Sequence, residues 1–99
     1  FNDRNEEALA QQNLPHYVAG APSIAEMSEV ALRILARAPQ GFLLVAEEEG
    51  TDNFGNVNNA AGSIEAGVRA DAAIGVFRRF VAANPSTLML TTADSDAGG

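Results

Sequence analysis

Gly41-Phe42-Leu43-Leu44-Val45-Ala46-Glu47-Glu48-Glu49-Gly50-Thr51-Asp52 joins an apolar run to a group of carboxylates. Residues 42–46 are apolar without alternation, the pattern of a strand buried on both faces between helices. The acids fall just past the carboxyl end of that run, where open α/β sheets place their ligands. A second run, Thr87-Leu88-Met89-Leu90-Thr91-Thr92-Ala93-Asp94, repeats the design with an aspartate at its end. A long helical pattern lies between the two. Together they predict an α/β fold: a βαβ fragment with parallel strands and flanking helices, presenting carboxylates on one rim. That rim suits a hard cation or a metal pair.

Upstream, Ser23-Ile24-Ala25-Glu26 has the form of a capping box, in which hydroxyl and carboxylate each satisfy the other residue's backbone amide. A helix is expected from there to about Arg37, with Ile24, Met27, Val30, Ala31, Ile34 and Leu35 as a buried stripe. Glu26 and Glu29 near its start and Arg33 and Arg37 near its end match the helix dipole, and Pro39 and Gly41 stop it. Residues 1–22 are polar, broken by Pro15, Gly20 and Pro22, and read as a connecting segment ahead of a domain over 23–99. His16, the single histidine, falls in that segment and reads as a surface or packing residue.

Downstream, residues 50–59 are rich in turn formers and predict a polar surface loop, with Asn53, Asn58 and Asn59 as loop residues. Phe54 at a ligand position and a glycine one place early exclude an EF-hand. A helix is predicted over 61–83, with Ala66, Ala70, Ala73, Phe77, Phe80 and Val81 on its apolar side and Asn84-Pro85 ending it. Gly62, Gly67 and Gly75 each weaken it by roughly 1 kcal/mol relative to alanine, so packing must hold it.

At 99 residues the chain has room for one small domain with a modest core. A net charge of −7 disfavours nucleic acid and anionic membranes as partners. No apolar run reaches the length of a membrane span, and no signal peptide is visible. With no cysteine, disulfides and thiolate metal sites are excluded. A start at Phe1 without methionine and an end at Gly98-Gly99 read as cuts in a longer protein.

The runs Pro22-Ser23-Ile24-Ala25-Glu26-Met27, GFLLVAEEEGTDN, ADAAIGVFRRFVAANPSTL and LTTADS together resemble the alkaline phosphatase family, over about residues 22–97. The resemblance implies a place within a three-layer α/β sandwich and, for the complete protein, phosphomonoester hydrolysis in a periplasmic or extracellular setting. It implies that Glu47 helps hold a magnesium ion, that Asp52 is a ligand of a first zinc and that Asp94 binds a second. Two positions depart from the family pattern: Asn56 and Ser95 stand where the family has histidine. They are expected to act as weak ligands or as groups behind the ligands. An all-oxygen set suits magnesium, calcium or manganese better than zinc. Glu48 and Glu49 are expected to be solvated acids rather than ligands. The nucleophile lies outside this chain, so the residues present are not expected to catalyse anything alone.

Other readings remain open on the same residues. A family member with weakened or lost catalysis, a phosphodiesterase or sulfatase of the same superfamily, and a non-enzymatic piece that self-associates through exposed sheet edges, as a homodimer, each fit.

Overall fold

The structure, a computed structural model, describes residues 15–94. Among these residues three helices follow one another: α1 over Ile24–Leu35, α2 over Gly50–Asn56 and α3 over Ala60–Ala83. Among the described residues there is no strand and no sheet, which overturns the expected α/β class and the βαβ fragment with parallel strands. A strand is held by a backbone ladder to a neighbour. Residues 42–46 and 87–91 have the composition of strands, but neither run has a ladder partner among the described residues. Their exposure also differs from that of a doubly buried strand. Phe42 and Leu44 are half-buried, whereas Leu43 and Val45 are 87% and 81% exposed. Thr87 and Met89 are half-buried, whereas Leu88 and Leu90 are each 81% exposed. A period of two is the signature of extended backbone covered along one side. Each apolar run is thus covered on one face rather than enclosed between layers.

The chain divides into two compact units. Within the described residues the first holds 15–21, Glu48–Val68 and 93–94, and the second holds Pro22–Glu47 and Arg69–Thr92.

In the second unit, α1 begins as the sequence predicts. The Glu26 amide donates to Ser23 Oγ at 3.2 Å, and the Ser23 amide and hydroxyl both donate to Glu26 Oε2 at 2.8 Å. Those bonds hold the Glu26 carboxyl below its ordinary range, the backbone amide of Ser23 first and its hydroxyl second. Glu29 and Arg33 pair one turn apart at 2.5 Å. The buried stripe differs from expectation. Ser28 and Leu32 are buried, with Ile24, Ala31 and Leu35 beside them half-buried, while Met27, Val30 and Ile34 are 49%, 53% and 61% exposed. The helix is apolar on two faces, and periodicity alone does not say which face is covered. Further along this unit Phe42 meets Phe80 edge to face, with ring centroids 6.0 Å apart. The covered side of α3 here runs through Ala73 and Val76. Asn84 closes that helix by donating from Nδ2 to the Phe80 carbonyl at 2.8 Å.

In the first unit, the expected surface loop over residues 50–59 is replaced by α2 and the joint to α3. The turn-forming residues encode the joint. Asn58 takes a left-handed φ of 54°, its amide donates to Gly55 O at 2.9 Å, and the Asn59 amide donates to Phe54 O at 2.8 Å. This pair of bonds is the Schellman arrangement that ends a helix. The Asn59 side chain then starts α3, accepting from the Gly62 amide at 3.0 Å. One short run of asparagines stops one helix and starts the next. Asn53, expected on the surface, is 9% exposed, because α2 turns it inward beside Phe54.

Candidate functional site

Phe54 is fully buried and anchors the first unit, packed with Ala66 and the half-buried Tyr17. Gly62 makes the fit possible: a Cβ added there would lie 2.5 Å from Phe54 Cγ, so only a hydrogen leaves room for the ring. Two rings meet Phe54 edge-on, His16 at a centroid distance of 5.0 Å and Tyr17 at 6.2 Å. Each of those residues also reaches a carboxylate. His16 Nδ1 lies 2.7 Å from Glu65 Oε2, and the Tyr17 hydroxyl donates to Glu48 Oε1 at 2.8 Å. His16 is therefore a packing residue, one of the two readings its isolation in sequence leaves open, and it meets the same Phe54 ring as Tyr17.

The acids predicted from sequence stand in three different settings. Asp52 is half-buried on α2, and its Oδ2 accepts from Asn56 Nδ2 at 2.9 Å, one turn along the same helix. Glu47 is exposed at the end of the irregular run that precedes α2. Asp94 is exposed at a bend. Ser95 lies outside the described residues. The structure thus joins Asp52 to Asn56. Among the described residues, no three histidine or carboxylate side chains come together in a group able to hold a metal ion. The donor chemistry does fit a hard cation. With Nδ2 directed to Asp52, Asn56 keeps its carbonyl oxygen as an acceptor, so the two residues offer oxygen ligands from one helix face.

Glu48 departs from the expectation of a solvated acid. It is half-buried, and the oxygen that accepts from Tyr17 also accepts from the Gly50 amide at 3.3 Å. Glu49 is exposed, as expected. Sequence reasoning missed Tyr17 and Glu48 because their contact spans 31 residues, and no periodic pattern carries a pair so far apart.

The family model for alkaline phosphatase matches residues 3–98. The chain belongs to the alkaline phosphatase family. It is 31% identical over 90 residues to alkaline phosphatase H of Pseudomonas aeruginosa strain UCBPP-PA14, covering 91% of this chain and 19% of that protein. It is 38% identical over 73 residues to the tissue-nonspecific alkaline phosphatase isozyme of Rattus norvegicus, covering 74% of this chain and 14% of that protein. The corresponding isozyme of Gallus gallus is 34% identical over 73 residues, with the same shares covered, 74% and 14%. The chain therefore spans less than a fifth of the length of each of these relatives. No solved structure gives a significant match. Among the described residues, no helix is long and apolar enough to cross a membrane.

Proposed function

We propose that this chain is part of a metal-dependent phosphomonoester hydrolase and contributes oxygen ligands to its metal site. The observation that carries the reading is the family match across residues 3–98. In this proposal Glu47, Asp52 and Asp94 are the ligands contributed here, and Asn56 and Ser95 stand beside them as weak ligands or orienting groups. Magnesium and zinc follow from the family resemblance, and the oxygen-only donors extend the set to calcium or manganese. Phosphomonoester substrates, a periplasmic or extracellular location and association as a homodimer belong to the same proposal.

A bound divalent ion would stabilise negative charge on phosphoryl oxygens. The chain's own part is to hold carboxylates in place. Asp52 accepts a hydrogen bond from the Asn56 side-chain amide, which limits its rotation.

The test is calorimetric titration of the whole protein that carries this chain with Mg²⁺, Zn²⁺ and Ca²⁺, with phosphomonoester turnover followed in parallel. Asp52→Ala and Asp94→Ala are each expected to weaken metal binding and lower metal-dependent turnover. Unchanged binding in both variants would sink the ligand assignment. Metal binding without turnover would favour a family member that has lost catalysis.

A further inference from the structure

The seven-residue helix α2 is too short to persist through its own hydrogen bonds, since helices below ~12–15 residues are marginal in water. It also lacks the usual start. Glu49, the residue before it, has helical backbone angles (φ −69°, ψ −19°) and makes no side-chain hydrogen bond to the first turn. Something else must hold this end.

We propose that Tyr17 and Glu48 are a positioning pair that fixes the start of α2 and so sets the placement of Asp52 and Asn56. One carboxylate oxygen of Glu48 accepts from both the Gly50 amide and the Tyr17 hydroxyl, which ties the first residue of α2 to a segment 31 residues earlier. Gly50 is buried, and a Cβ there would lie 2.5 Å from the Tyr17 oxygen, 2.9 Å from Glu48 Oε1 and 3.1 Å from Ala66 Cβ. The absence of a side chain at this position is what admits the hydroxyl. One turn later Phe54 presses on the Tyr17 ring, so the same tyrosine holds both ends of the buried face, Gly50 and Phe54. With that face pinned, the rest of the helix has no freedom to roll. Asp52 and Asn56, joined to each other, then project at a set angle. The functional consequence rests on the reading of Asp52 as a metal ligand; the positioning itself does not.

The experiment compares Tyr17→Phe, Glu48→Ala, Glu48→Gln and Asp52→Ala in the whole protein. Two quantities are read: hydrogen exchange at the Gly50 amide, and Mg²⁺ affinity by calorimetry. Tyr17→Phe keeps the ring against Phe54 and removes only the hydroxyl. It and Glu48→Ala are expected to speed Gly50 exchange about tenfold, the scale of one lost hydrogen bond to a charged group. Both are expected to weaken Mg²⁺ binding about tenfold, as removal of an orienting partner behind a ligand does. Glu48→Gln keeps an acceptor oxygen and should restore most of both quantities, which a loss of bulk packing would not explain. If Tyr17→Phe fails to fold, the contrast between Glu48→Ala and Glu48→Gln decides the same question. Wild-type exchange at Gly50 in Tyr17→Phe and Glu48→Ala overturns the proposal. Loss of Mg²⁺ binding in Asp52→Ala alone, with both readouts unchanged in Tyr17→Phe, keeps the ligand reading and rejects the positioning pair. Faster exchange in Tyr17→Phe, with Asp52→Ala binding Mg²⁺ normally, keeps the pair and rejects the ligand reading.

Discussion

The neighbourhood of Phe54 and the helix α1 are built on opposite principles. Around Phe54 nearly everything is tertiary: one aromatic ring is fully buried, a glycine makes room for it, and His16 and Tyr17 reach it from far away in sequence. Helix α1 is organised locally, by a capping box, an ion pair one turn apart and strong helix formers, while Met27, Val30 and Ile34 stay exposed. Packing that converges on one side chain concentrates the cost of a change there. Local signals spread it in smaller portions.

Substitutions measure that contrast. Phe54→Ala is expected to be the most damaging, at about 3–5 kcal/mol, because it empties the site on which the first unit converges. Urea unfolding reads this directly, and a loss comparable to that of an exposed residue would break the contrast. Gly62→Ala comes next, at about 1–3 kcal/mol, since the new methyl meets the Phe54 ring. Its partner is Gly67→Ala on the same helix, where nothing lies within 4 Å. There alanine should stabilise by up to about 1 kcal/mol through helix propensity. Opposite signs at two glycines of α3 would show that packing, not propensity, decides the first.

For α1, Ser23→Ala should cost about 1 kcal/mol, the loss of a helix cap. The capping box also predicts a pH effect with a definite sign. Glu26 has a lowered carboxyl pKa in the folded chain, so its contribution is present above the ordinary carboxylate range and is lost as pH falls through the folded value. The difference in stability between the parent and Glu26→Gln should therefore shrink on acidification. A difference that stays constant from neutral to acidic pH would show that the capping box does not act through the ionised carboxylate. The smallest effect is expected at Ile34→Gln, within about 0.5 kcal/mol, because that side chain is largely exposed. A larger loss would mean that the open face of α1 is covered in the intact protein.

The elements that were legible in sequence are those whose signals lie within a few residues. Ser23 and Glu26 are three apart, and the bonds they predict are the bonds found. The long apolar periodicity over 61–83 matches α3 to within one residue at its start. Illegibility began where the outcome depended on a partner. Residues 42–46 look like a buried strand, but composition specifies only that an apolar run wants cover; a ladder needs a second backbone beside it. The run from Gly50 to Asn59 has the composition of a loop and became a helix, a stop and a start around the buried Phe54, whose contacts with Ala66 and Tyr17 lie outside the run.

Sequence by itself determined the family, the capped helix α1 and the extent of α3, because each is written in local order and spacing. Tertiary structure alone decided which face of α1 is covered, that Glu48 is held rather than solvated, and that Tyr17 joins it above Gly50. Those outcomes depend on side chains separated by tens of residues meeting within hydrogen-bond distance, and only the folded chain brings them there.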